Sequence, residues 1–139
     1  MNDVTLQASV LRNYYEGLSR GVFRAMKCSR CNGITFPPTG CCEHCGGWDV
    51  EETALSGDAT LVFATHNITP ACHPRFEEIA PYVYGHLQLA EGPCVQAIVL
   101  GVEATPEALR KVFEAGPVPA KAEVLKMADL DVLAFRAKA

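Results

Sequence analysis

The chain has 139 residues, a formal net charge of −4 and a pI near 5.5. That length suits one compact domain, or a small module beside a domain of about 100 residues. Apolar residues make up 49% and charged residues 20%, with no low-complexity segment, which excludes wholesale disorder. No apolar run approaches the ~18 residues that a membrane span needs. The opening MNDVTLQASVLRN has neither a basic n-region nor an apolar h-region. The expectation is a cytoplasmic chain whose thiols stay reduced.

In chain order, residues 4–20 place Leu6, Val10, Leu11, Tyr14 and Leu18 at helical spacing, with Gly17 and Gly21 loosening the end. GVFRAMK and GITFPP read as the two short strands of a hairpin around Cys28 and Cys31, in a module that ends near Trp48. WDVEETAL is then expected to open a set of strands, followed by GDATLVFATHNI after a Ser-Gly turn. PYVYGHLQLAEG alternates strictly: Val83, Gly85, Leu87 and Leu89 face one way, and Tyr82, Tyr84, His86 and Gln88 the other. With PCVQAIVLG it forms a hairpin across Glu-Gly-Pro. TPEALRKVFEAG is a short helix, with Thr105 as N-cap, Pro106 in the first turn and Gly116 closing it. AKAEVLKM and DVLAFRA read as two last strands around Asp129. Five to six strands with one short helix between them fit a small closed barrel, giving a mainly β chain divided into residues 1–48 and 49–139.

Five of the seven cysteines crowd into KCSRCNGITFPPTGCCEHCGG, residues 27–47. Cys28-x-x-Cys31 and, ten residues on, Cys42-x-x-Cys45 match a zinc ribbon. Each CxxC turn aims two sulfurs at one point, and two such turns complete a tetrahedron around Zn2+. Gly33, Gly46 and Gly47 are placed to take positive φ and turn backbone NH groups toward the thiolates. Cys41 reads as a free thiol beside the site, and His44 as a bystander, because four thiolates already close the coordination sphere. A thioredoxin-like redox pair is the competing reading, but two CxxC turns without a βαβ context favour a structural metal.

Charge is uneven along the chain. Residues 1–40 carry +3, with Arg12, Arg20, Arg24, Lys27 and Arg30 against two acidic groups, and residues 41–139 carry −7. The barrel part therefore lacks the basic footprint of a nucleic-acid binder. The basic arm is either a solvated face or a contact for an anionic ligand or an acidic partner, with Arg24 a candidate.

YYEGLSRG, the double CxxC with Pro-Pro between its halves, SGDATLVFATHNI and PYVYGHLQLAEG together resemble the DUF35 family over nearly the whole chain, in the family's order. The resemblance implies an N-terminal helix and rubredoxin-like zinc ribbon followed by an OB-fold, with zinc on Cys28, Cys31, Cys42 and Cys45. Cys41 departs from the family's pattern. The resemblance also implies a small non-catalytic subunit that accompanies thiolase-superfamily enzymes of acyl-CoA metabolism. The family includes the small subunit of a benzoylsuccinyl-CoA thiolase, which degrades an aromatic compound. A CoA thioester is then a ligand shared with the catalytic subunit.

The residues agree with a helper role. Claisen-type thiolysis needs a cysteine activated by histidine and a second acid–base group. Cys94 reads as a small buried strand residue. Cys72 and His73, adjacent in a loop, point apart and make a poor nucleophile–base pair, so no catalytic residue is assigned. Arg75, in the same loop, can meet a phosphate or carboxylate. Tyr82, Tyr84 and His86 lie on what is the ligand face of an OB-fold; they read either as ligand or partner contacts or as half-buried rings. His66 reads as exposed. A nucleic-acid-binding zinc-ribbon/OB module is the alternative function, and it predicts single-strand binding with a steep salt dependence.

Overall fold

The computed structural model describes residues 3–67 and 73–138. Its contacts divide the chain into two compact units: Met1–Gly57 with Ala90–Pro93 and Val124–Val132, and Asp58–Leu89 with Cys94–Glu123 and Leu133–Ala139. Cys72 lies outside the described residues.

The first unit begins with helix α1, Asp3–Ser19, followed by strands β1, Phe23–Cys28, and β2, Ile34–Thr35. The helix buries Val10 and Leu18, eight residues apart on one stripe, while Leu11 turns outward. Tyr14 meets Phe36 edge-on at 6.1 Å. Burial, then the neighbouring Tyr15, pushes the pKa of the half-buried Tyr14 up to about 12. Gly17 is the close approach. A Cβ there would sit 2.9 Å from the Arg24 Nε and 3.1 Å from the Val22 carbonyl.

WDVEETAL does not open the barrel. Its strand β3, Val50–Leu55, pairs antiparallel with β1 from Cys28↔Val50 to Phe23↔Leu55, completing a sheet of order β2-β1-β3. Its alternation was readable as a strand, but nothing in it distinguishes the partner, because pairing is a long-range choice.

Five further strands close into a barrel of order β4-β5-β6-β8-β7: β4, Asp58–His66, β5, Val83–Leu89, β6, Cys94–Leu100, β7, Val118–Lys126, and β8, Asp131–Ala137. β6 and β8 run parallel, and the helix α2, Pro106–Ala115, lies between β6 and β7 in sequence. The expected fold class, mainly β with an N-terminal helix, a zinc-ribbon region and a small barrel, is what the structure has.

The strict alternation in β5 holds. Val83, Gly85, Leu87 and Leu89 are buried, and the residues between them are half-buried or exposed. In β4 the alternation breaks at a bulge between Leu61 and Phe63, so Val62 and Phe63 both face outward. Gly85 makes this possible, because a Cβ there would overlap the Phe63 carbonyl. α2 starts as expected, with Thr105 Oγ1 accepting from the Ala108 NH at 3.2 Å and Gly116 at φ +79 ending it. Among the described residues no helix is long and apolar enough to cross a membrane.

Candidate metal centre

The two CxxC segments fold into equivalent turns. In the first, the Asn32 NH donates to the Cys28 carbonyl (2.9 Å) and the Cys28 NH to the Gly33 carbonyl (3.0 Å). In the second, the Gly46 NH donates to the Cys42 carbonyl (2.9 Å) and the Cys42 NH to the Gly47 carbonyl (2.8 Å). The left-handed position is the residue directly after each second cysteine, Asn32 at φ 61 and Gly46 at φ 74.

Gly33 and Gly47 therefore serve a different purpose from the one expected. A Cβ on Gly33 would overlap the His44 imidazole and approach the Cys31 Sγ at 3.2 Å, and one on Gly47 would approach the Cys45 Sγ at 3.3 Å. Both are glycine for space. The repeat C-x-x-C-[N/G]-G was visible in the sequence as a signature of paired knuckles.

The four sulfurs converge. The Sγ atoms of Cys28, Cys31, Cys42 and Cys45 all lie within 4.8 Å of one another, with Cys31–Cys42 at 3.5 Å and Cys28–Cys45 at 3.7 Å. A tetrahedron with Zn–S bonds of about 2.3 Å has edges of about 3.8 Å, so the cluster fits a single zinc ion. Backbone groups already favour the thiolates: the Gly33 NH reaches the Cys31 Sγ at 3.4 Å and the His44 NH the Cys42 Sγ at 3.3 Å. The amides of Cys45 and His44 draw Cys42 down to about 6. Hydrogen bonding from the Cys31 amide likewise lowers Cys28. Cys31 keeps a favourable Gly33 amide, yet the Cys42 sulfur, burial and the other thiols push it up to about 11. Four crowded sulfurs do not all ionise without a cation, and a Zn2+ held by Cys28, Cys31, Cys42 and Cys45 would supply that charge.

Cys28 and Cys42 are buried, whereas Cys31 and Cys45 are exposed. Cys41, half-buried, lies outside the cluster, and its carbonyl accepts from Thr39. His44 turns away from the sulfurs, and its Nε2 donates to the Ile34 carbonyl at 2.7 Å. The buried Thr35 hydroxyl accepts from the Glu43 NH at 3.0 Å and ties the second knuckle to β2.

Elsewhere, Arg24 is half-buried, with its Nη1 3.3 Å from Glu52, which also accepts from Asn13. Its Nε is buried without a hydrogen-bond partner, packed over Gly17. Arg75 stands near the start of a 3-10 helix, Pro74–Ile79, capped by the exposed His73. Tyr82 lies between Phe76 (6.0 Å) and Tyr84 (6.1 Å), and both tyrosines are half-buried. His86 is exposed, 5.5 Å from the Phe63 ring. Cys94 is exposed, contrary to expectation, because its strand turns it outward in register with Gln88. His66 is half-buried rather than exposed, its Nδ1 3.2 Å from the Asn67 carbonyl.

Residues missed by sequence reasoning are Val62, Phe63 and Phe113, large side chains with about half their surface in solvent. Only the bulge in β4 exposes the first two together, and a bulge leaves little trace in a single sequence.

Residues 16–51 match the family model described as ChsH2, rubredoxin-like zinc ribbon domain. Over 91 residues, 64% of the chain, the sequence is 30% identical to the probable enoyl-CoA hydratase alpha subunit of Thermomonospora curvata. The match spans only 27% of that longer protein. The fold is similar to a chain of the Ltp2-ChsH2(DUF35) aldolase, at TM-score 0.71 and 23% identity, over 92% of this chain and 94% of that one. It is also similar to a DUF35-family protein of unknown function from Sulfolobus solfataricus, at TM-score 0.58 and 16% identity, over 95% of this chain and 87% of that one.

Proposed function

We propose that the chain is a DUF35-family protein and a non-catalytic accessory subunit of an acyl-CoA enzyme. The ribbon is stapled by one structural zinc on Cys28, Cys31, Cys42 and Cys45. The catalytic partner is an enzyme of the thiolase superfamily, and its substrate is a CoA thioester, in the benzoylsuccinyl-CoA thiolase type one derived from an aromatic compound.

The observation that carries this reading is the joining of a matched zinc ribbon to a closed five-stranded barrel in one chain. The names of its relatives point the same way, one an enoyl-CoA hydratase subunit and one a component of an aldolase. The metal cluster supports it as well. Four thiolates fill a tetrahedral ion, so zinc there cross-links two knuckles and keeps no open position for substrate.

Beside α2 a groove of about 800 Å3 is lined by Val112, Ala115, Pro117 and Val118, with Lys111 and Lys138 balanced by Glu103 and Glu107. Its apolar walls suit the acyl part of a thioester shared with the partner, while two lysines against two glutamates give no net charge to hold phosphates.

The test is purification of the tagged, zinc-loaded chain from its source cell, with mass spectrometry of what accompanies it. A thiolase-superfamily enzyme in stoichiometric amount, and thioester turnover only when both are present, is the expected result. Recovery as a monomer, or with nucleic acid alone, would overturn the proposal.

A further inference from the structure

The barrel has two unlike sides. Residues 59–66, 83–89 and 94–100, which make up β4 after Asp58, all of β5 and all of β6, contain no Asp, Glu, Lys or Arg, in a chain that is 20% charged. β7 and β8 carry charges that pair: Lys121 with Asp58 at 2.9 Å, Arg136 with Glu123 at 2.7 Å and Lys126 with Asp131 at 3.5 Å. The uncharged side is far from blank. The bulge presents Val62 (50% exposed) and Phe63 (47%) side by side, and Phe113 of α2 (52%) stands 6.0 Å from the Phe63 ring. Between β4 and α2 a recess of about 100 Å3 opens, lined by Val62, Phe63, Val112, Phe113 and Pro117. On β5 and β6 the exposed residues are uncharged polar groups, His86, Gln88, Gln96 and Cys94, and His86 stands 5.5 Å from the Phe63 ring. Depletion of charge with enrichment of aromatic residues marks the core of a protein–protein interface, and a recess beside exposed rings is where a partner's side chain anchors.

We propose that the outer face of β4, β5 and β6, centred on Phe63 and Phe113, is the surface on which the catalytic subunit docks, meeting it with an apolar patch. This rests on the accessory-subunit reading above. Nucleic acid does not fit, since β4, β5 and β6 offer no cation to phosphates and on α2 the exposed Arg110 and Lys111 are matched by Glu107 and Glu114. A second copy is disfavoured because each chain carries −4 and like copies repel, whereas a neutral or basic partner is free of that cost. The Thermomonospora relative carries its matching stretch within a longer polypeptide, of which it is 27%.

The test uses the zinc-loaded full chain and the acyl-CoA enzyme identified with it, purified separately. The double variant Phe63→Ser/Phe113→Ser should bind about thirtyfold or more weakly, as loss of an interface hot spot does. Lys121→Ala, on the charged side, should bind as the parent does. In the unmutated chain, alkylation of the exposed Cys94 should slow by about tenfold or more when the partner is present. Unchanged affinity of the double variant, or unprotected Cys94, overturns the docking face and leaves the accessory reading standing. Failure of the parent chain to bind any acyl-CoA enzyme overturns the accessory reading itself. A homodimer that the double variant dissociates assigns the face to a second copy and overturns the proposal.

Discussion

At the residue scale, the account turns on side chains whose alternatives are sterically or electrostatically closed. Cys28→Ser and Cys45→Ser should each lose zinc, measured as metal per chain after dialysis. They should also lose solubility, because metal-binding free energy is folding free energy in so small a ribbon. One zinc per chain retained in both variants contradicts the ligand assignment.

Acid should do the same reversibly. In the metal-free fold the backbone amides of Cys45 and His44 draw Cys42 down to about 6 from an ordinary 9.0. A depressed value stabilises the fold fully above 9 and loses that contribution as pH falls through about 6. Cys31, raised to about 11, acts in the opposite sense in the metal-free chain and would lose its proton to solvent as zinc binds. Zinc release, followed with a chromogenic chelator, should therefore occur on the acid side of about pH 6. Spontaneous release at neutral pH would contradict the geometry.

Gly85→Ala carries a different lesson. Its Cβ must displace the Phe63 backbone at the bulge, which should cost about 1–3 kcal/mol in denaturant unfolding. A neutral result would mean that the bulge yields easily.

At the scale of elements, legibility followed how local the information was. α1, α2, the β5–β6 hairpin and the last two strands were readable because period and capping are written in adjacent residues. Thr105, Pro106 and Gly116 delimit α2 almost by themselves. Thr105→Ala should accordingly cost about 1 kcal/mol of stability, with the zinc content unchanged. A cost near zero would mean that the cap hydrogen bond to Ala108 contributes nothing.

β3 was legible as a strand and not as part of the ribbon sheet, because its pairing with β1 joins residues more than twenty positions apart. The four ligands were legible from spacing, while the reason for Gly33 and Gly47 was not, since the His44 ring and the Cys45 sulfur meet them only in three dimensions. Cys94 was misplaced for a related reason. Cys94 opens β6 opposite Gln88 and faces outward there, whereas the apolar character that suggested burial belongs to Val95, Ile98 and Val99 further along.

At the scale of the whole molecule, the chemistry-bearing residues are committed to structure and the surface is arranged for contact. Four of the described cysteines converge on a metal position and Arg24 pairs with Glu52. Among the described residues, the surfaces offered for contact include the uncharged aromatic face and the groove beside α2. Such a division suits a subunit that presents surfaces while a partner breaks bonds.

The most direct test is the rate of CoA-thioester cleavage by three preparations: the zinc-loaded chain alone, the co-purifying enzyme alone, and the two together. The account predicts no turnover by the chain alone and a faster rate for the pair than for the enzyme. Turnover of a thioester by the chain unaided, abolished when its own residues are changed, would contradict it.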